Sequence, residues 1–208
     1  MESVQGLVIR TADYKEKDKI LTVFTARGLL TVTAKGVRSA KSKLKAYASV
    51  LTFGEIGYTG REGNRVLAGV ECIDNFYAAW GDLKKISALY ACFELAEKGF
   101  REEDETVSEF VFLLRTVKET VYGQTDPTCM AFRFFIFCAQ RLGVDYTEIE
   151  GYDETSYNVI NTFAVADPEE CGTLPYTEEK VRKAFLLLHN VYKNRLDLKI
   201  NALKTLLN

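Results

Sequence analysis

The first seventy or so residues run in short apolar segments broken by turns. Gln5–Thr11 is rich in β-branched side chains. Ile20–Thr25 is a second run, and Arg27-Gly28 turns the chain into a third, Leu29–Ala34. Ser49–Tyr58 is a fourth segment, closed by Thr59-Gly60-Arg61-Glu62-Gly63-Asn64, and Arg65–Cys72 is a fifth. Five short strands with glycine-rich turns predict a small closed barrel. Closure also removes the bare strand edges that invite aggregation.

The period changes near Asp74. From Asp82 the apolar positions are Leu83, Ile86, Leu89, Tyr90, Phe93 and Ala96, which is helical spacing, with Asp82 as N-cap and Gly99 as a stop. A polar run from Arg101 to Glu105 precedes a second helix marked by Val107, Phe110, Val111, Leu114, Val117 and Val121, with Thr106 or Asp104 near its start. Asp126-Pro127 opens a third helix, because proline at the first helical position loses no intrahelical bond. Cys129–Leu142 is apolar on nearly all sides, as a central buried helix is. Gly143 stops it, and Arg141 complements its dipole. Asn158–Val165 reads as a strand. Thr177 caps a last long helix through Val181, Ala184, Phe185, Leu188 and Tyr192, and a short helix over Leu198–Leu207 follows.

The chain has 208 residues and a formal net charge of −2. That near-neutral average hides an asymmetry. Residues 1–80 carry twelve cations against eight acids, whereas the remainder carries fifteen against twenty-one. A basic part and an acidic part point to two units with different partners. The five cysteines, Cys72, Cys92, Cys129, Cys138 and Cys171, include no Cys-x-x-Cys pair. No apolar stretch reaches the roughly 18 residues of a membrane span, and no secretory signal is visible. Reduced thiols in a cytoplasmic protein are the plain expectation.

Charge becomes specific in one place. Lys35-Gly36-Val37-Arg38-Ser39-Ala40-Lys41-Ser42-Lys43-Leu44-Lys45 holds cations with no acid among them, spaced by small residues that leave phosphates room to approach. Clustered cations are what backbone binding needs, since its affinity comes largely from counterion release. On composition alone a solvated lysine loop is the better reading of the segment. Tyr14, Tyr47, Phe53 and Tyr58 are stacking candidates of the kind single-strand binders add. Barrel filling is their ordinary role, Phe53 above all. Tyr14–Lys19 alternates in sign and reads as a solvated turn that a barrel would bring near Lys41. His189 is the single histidine, so neither a catalytic triad nor a typical metal site has a histidine partner to recruit. No phosphate-binding glycine loop or metal motif is present, and the chain is not expected to be an enzyme.

Gly6–Thr25, followed by Gly28-Leu29-Leu30 and Ala34–Leu44, resembles the start of the DNA repair protein RecO family. The order is a strand, a Tyr-x-Glu-x-Asp turn, a strand ending in Phe-Thr, a Gly-Leu hairpin and an Ala-Lys-Gly basic loop. Phe53-Gly54-Glu55 is similar to a later barrel strand of the family, and Arg141-Leu142-Gly143 to one of its helix ends. The resemblance implies an α+β protein. A five-stranded oligonucleotide-binding (OB-fold) barrel over residues 1–75 would be followed by an all-α domain over 76–208. It also implies a DNA-binding recombination mediator in DNA repair. Such a protein acts on single- and double-stranded DNA, promotes annealing, and with RecR loads RecA onto DNA coated with single-strand binding protein. Carried over by motif position, Lys35, Arg38, Lys41 and Lys43 are the expected DNA contacts, with Lys45 and Arg10 as further ones. Many relatives carry a four-cysteine zinc module after the helix end. Here only Cys171 falls within residues 144–176, so a shortened, zinc-free connection and no cofactor are expected. A rival reading gives the acidic helical part the main role, as a protein-interaction adaptor with weak or vestigial DNA binding.

Overall fold

The computed structural model describes residues 1–102, 104–144 and 153–207. Five strands, β1 (Glu2–Tyr14), β2 (Asp18–Thr25), β3 (Gly28–Ala34), β4 (Phe53–Thr59) and β5 (Val66–Asp74), close into a barrel in the order β1-β2-β3-β5-β4. All pairings are antiparallel except the short β3–β5 contact at Thr33 and Val66. This is the five-stranded OB-fold barrel. Among the described residues six α-helices follow: α1 (Leu83–Gly99), α2 (Val107–Tyr122), α3 (Pro127–Arg141), α4 (Glu154–Val165), α5 (Glu178–Leu196) and α6 (Leu203–Leu207). The chain divides into two compact units. One comprises Met1–Tyr77 with Phe100–Val111, the other Ala78–Gly99 with Phe112–Asn208.

The barrel unit has two apolar layers. Inside, Val8, Leu21, Val23, Leu30, Val32 and Ile56 meet Val37 and Ala48 from the β3–β4 connection, with Leu44 packed beside them. Strand alternation sends the next residues outward. Leu7 sits opposite Phe24 on β2 and Phe53 on β4. Phe24 then meets Phe100 and Phe110 at ring-centroid distances of 5.7 and 6.3 Å, and Phe53 meets Phe110 at 6.4 Å. Phe53 therefore belongs to this outer layer and not to the barrel core expected for it, because Gly54 and Ile56 take the inward positions of β4.

Backbone bonds fix the covering segment. Leu29 N–H donates to the Arg101 carbonyl, and Thr106 N–H to that of Ala26. The buried Thr106 hydroxyl accepts from Gly28 N–H at 2.7 Å and donates to the Thr25 carbonyl at 2.8 Å. Gly28, at φ +78°, has no room for a side chain, since a Cβ there would lie 2.0 Å from the Arg101 carbonyl.

In the helical unit α3 packs against α1, α4 and α5. Asp126 caps it through Thr128 N–H, and Gly143 ends it at φ +68°. The buried rings of Phe132, Phe135, Phe163, Phe185 and Tyr192 form one cluster of tilted and edge-to-face pairs with centroids 4.8–5.6 Å apart. The wholly buried Tyr192 hydroxyl donates to the Phe135 carbonyl at 2.6 Å. Asp82 caps α1 through Lys84 and Lys85 N–H, while Leu83 and Tyr90 point to solvent and leave Leu89, Phe93 and Ala96 on the buried face.

Asn158–Val165 is helix α4, not a strand. Asp153 caps it by accepting from Ser156 N–H, and Ser156, Val159, Ile160 and Phe163 form one buried helical stripe that outweighs the β-branched content. The C-terminal helix is shorter than Leu198–Leu207, covering Leu203–Leu207. Residues 145–152 of the connection expected at 144–176 lie outside the described residues. Cys171 is buried in a 3-10 turn over Pro168–Thr173, and its thiol donates to the Asp167 carbonyl. Burial pushes its pKa up to about 12. No group of three or more candidate metal ligands occurs among the described residues, and this set does not fit a four-thiolate zinc site. Among the same residues no helix is long and apolar enough to cross a membrane.

Two measurements test this packing. Thr106→Val removes the hydroxyl that the buried Gly28 N–H and Thr25 carbonyl bond to. It should destabilise the barrel unit by about 1–3 kcal/mol in urea unfolding followed by barrel-specific amide exchange; no change would refute the role given to the hydroxyl. In the helical unit, His189 Nε2 accepts the Ile200 N–H at 3.3 Å, and burial lowers its pKa below the usual value. Its stabilisation is complete above about pH 6.5 and fades as the pH falls toward the folded pKa. Thermal melts between pH 7.5 and 5 should show this loss in the wild type and a smaller one in His189→Gln.

Candidate nucleic-acid interface

The segment after β3 contains no helix or strand. It descends through successive turns, in which Ser39, Ser42 and Lys45 N–H each donate to the carbonyl three residues earlier. What holds it is burial at intervals. Val37 and Ala48 are 2% and 1% exposed and close one end of the barrel core, with Leu44 packed against them. The cations between these anchors face outward: Lys35, Arg38, Lys41, Lys43 and Lys45 are all exposed. At the far end Leu51 adopts φ +74°. There its N–H donates to the Val8 carbonyl, and Val8 N–H donates to that of Thr52. A leucine in that region is strained, and these two bonds with its burial keep it there.

The β1–β2 turn joins this end of the barrel. Gly36 N–H donates to Asp18 Oδ1 at 2.7 Å, and Arg38 N–H to the Lys17 carbonyl at 2.9 Å. The Arg38 guanidinium also donates to the Lys15 and Glu16 carbonyls and pairs with Asp13 at 3.1 Å. Gly36 sits at φ +63°, where glycine carries no steric penalty. Lys15, Lys17 and Lys19 are thereby brought beside the five cations of the loop. Across both segments eight cations face three acids, Asp13, Glu16 and Asp18. The turn at Tyr14–Lys19 is exposed, as expected, and is also bonded to the loop.

The expected contacts thus separate into four groups. Lys35, Lys41 and Lys43 are exposed on the loop. Arg38 is held by one carboxylate and two carbonyls, and its ion pair is too exposed to be worth more than about 1 kcal/mol. Lys45 lines a recess with Asp13, Lys19 and Arg38. Arg10 lies elsewhere: it pairs with Thr22 on the outer surface of the sheet, since the neighbouring Leu21 and Val23 fill the interior.

The aromatic candidates also diverge. Tyr14 and Tyr47 are exposed at this end, with the Lys15 ammonium 5.1 Å from the Tyr14 ring. Tyr58 lies at the opposite end of β1, where burial and a hydrogen bond donated to Glu2 raise its pKa. The alternating charges of Tyr14–Lys19 placed Lys15, Lys17 and Lys19 in a turn near the loop, but not among the expected contacts. The bond from the Gly36 amide to the Asp18 carboxylate, just beyond the β2–β3 pairing, is what joins them to it.

Residues 1–76 match the family described as recombination protein O N terminal. A DNA repair protein RecO from Clostridium perfringens is 29% identical over 163 residues, covering 67% of this chain and 63% of the relative. One from Halalkalibacterium halodurans is 32% identical over 124 residues, covering 59% and 48%. One from Listeria monocytogenes is 34% identical over 124 residues, covering 57% and 48%. The chain therefore spans between about half and just under two thirds of the length of these curated relatives.

Asp18→Ala removes the acceptor that ties the turn to the loop. Amide exchange at Gly36–Ser39 should quicken by roughly three- to tenfold, the scale of one lost hydrogen bond. Unchanged protection by exchange mass spectrometry would show that the two segments are held by other means.

Proposed function

Starting from residues 1–76 as a recombination protein O N-terminal domain, we propose that the chain is a DNA-binding mediator of recombination in DNA repair. The observation that carries this reading is the cation cluster at the barrel end, where Lys35, Lys41 and Lys43 stand exposed on a loop anchored by Val37 and Ala48. Anchoring matters because mobile lysines lose conformational entropy on binding, whereas a loop fixed by its buried residues loses less. The lysines contact phosphates and carry no base information, so binding is broad across sequences and includes single and double strands.

Annealing follows from the same electrostatics. Cations that neutralise the phosphates of two strands lower their mutual repulsion, and pairing then proceeds through the bases themselves. The family resemblance extends the proposal to its partners: RecR, single-strand binding protein on the DNA, and RecA loaded in their presence. No bond-making chemistry is part of the proposal.

The test is binding to a labelled single strand across a salt series, with an annealing assay beside it. The logarithm of affinity should fall with the logarithm of salt by about 0.7 per phosphate contacted. Lys35→Ala, Lys41→Ala and Lys43→Ala together should reduce that slope by about 2 and slow annealing in proportion. A flat salt response, or wild-type affinity in the triple variant, would end the proposal.

A further inference from the structure

The barrel end holds more than exposed lysines. A recess of about 350 Å3 is lined by Asp13, Lys19, Val37, Arg38, Lys45 and Ala48. Val37 and Ala48 are buried and form its apolar side. Lys19 is half-buried, with its Nζ 3.4 Å from the Ala48 carbonyl. Arg38 is turned toward Asp13, with Nη2 3.1 Å from Oδ2 and Nη1 3.4 and 3.3 Å from the carbonyls of Lys15 and Glu16. Three cations thus border one space, and the acid beside them engages the guanidinium. At about 30 Å3 per water, the recess has room for a phosphate group and several waters.

A carboxylate on a guanidinium offers two oxygens and one negative charge, as a phosphodiester does. The geometry points to this recess as a seat for one backbone phosphate, with Asp13 as a built-in competitor that holds Arg38 while no nucleic acid is bound. The inference rests on the DNA-binding reading above and names one subsite of it. The exchange costs little, because the Asp13 side chain is 59% exposed and can turn to water as the phosphate arrives. It also sets a threshold. An isolated phosphate meets Asp13 as a rival, whereas a strand already held by Lys35, Lys41 and Lys43 delivers its next phosphate at high local concentration. The seat therefore favours polyanions over single phosphates.

Fluorescence anisotropy with a single-stranded oligonucleotide across a salt series tests this. Asp13→Asn keeps the shape and removes the rival charge. It should bind roughly three- to fivefold tighter at low salt, the scale of one exposed ion pair. Glu16→Gln removes the same charge from the neighbouring turn outside the recess and should gain clearly less. In an Arg38→Ala background the gain from Asp13→Asn should vanish. Lys45→Gln should lower the salt slope by about 0.7, one phosphate's worth, and it serves as the test if Asp13→Asn fails to fold. The seat is overturned, with DNA binding intact, by any of three results. These are wild-type affinity in Asp13→Asn, an equal gain in Glu16→Gln, or an unchanged slope in Lys45→Gln. A flat salt response in the wild type would overturn the DNA-binding reading and the seat together.

Discussion

The interior of the barrel is not filled by its strands alone. Val37 and Ala48, with Leu44 beside them, come from the connection between β3 and β4, and they complete the core that Val8, Leu21, Val23, Val32 and Ile56 begin. That demand for apolar volume governs what the connection can do. Each buried anchor fixes the backbone near it, and the residues between anchors have only the outward direction left. A run of lysines that would otherwise be a solvated coil becomes a surface with a defined shape. Removing water from two small apolar side chains is a modest gain, on the order of 1–2 kcal/mol each, yet it determines where the cations of the loop stand.

The second consequence is electrostatic. Like charges gathered at one end of a small domain repel one another, and three acids are set among them. Asp18 accepts a backbone amide, Asp13 meets a guanidinium, and the Glu16 carbonyl, not its carboxylate, faces Arg38. Two of the acids are thus spent on holding the two segments together. The surface keeps its excess of positive charge, and the carboxylates serve geometry at the same time.

Much of this was legible in the residues. Period-two runs and glycine turns mark the five strands, and Asp126-Pro127 and Gly143 bracket α3 at both ends. What escaped was nonlocal or ambiguous. Asn158–Val165 mixes β-branched and aromatic residues, and only the capping bond from Asp153 with the Val159–Ile160–Phe163 stripe decides for helix. Phe53 sits in an alternating strand, so its identity says buried without saying on which face. For the candidate site, the charge of Lys35–Lys45 was plain. The diversion of Arg38 onto Asp13, and the particular bonds that tie the Tyr14–Lys19 turn to the loop, depend on residues some twenty positions apart that meet only when the barrel closes.

The outer layer of the barrel has an implication for anyone who wishes to cut the protein. Leu7, Phe24 and Phe53 lie side by side on the outside of the sheet, and the rings that cover them, Phe100 and Phe110, come from beyond α1. The domain is therefore discontinuous in sequence: the chain leaves it after Tyr77 and returns at Phe100. A fragment ending where β5 ends would carry an oily stripe on its surface and a hairpin missing its backbone partners at Arg101 and Thr106. A piece that keeps the barrel intact has to keep residues 100–111 as well, because they belong to the same unit and cover its outer rings.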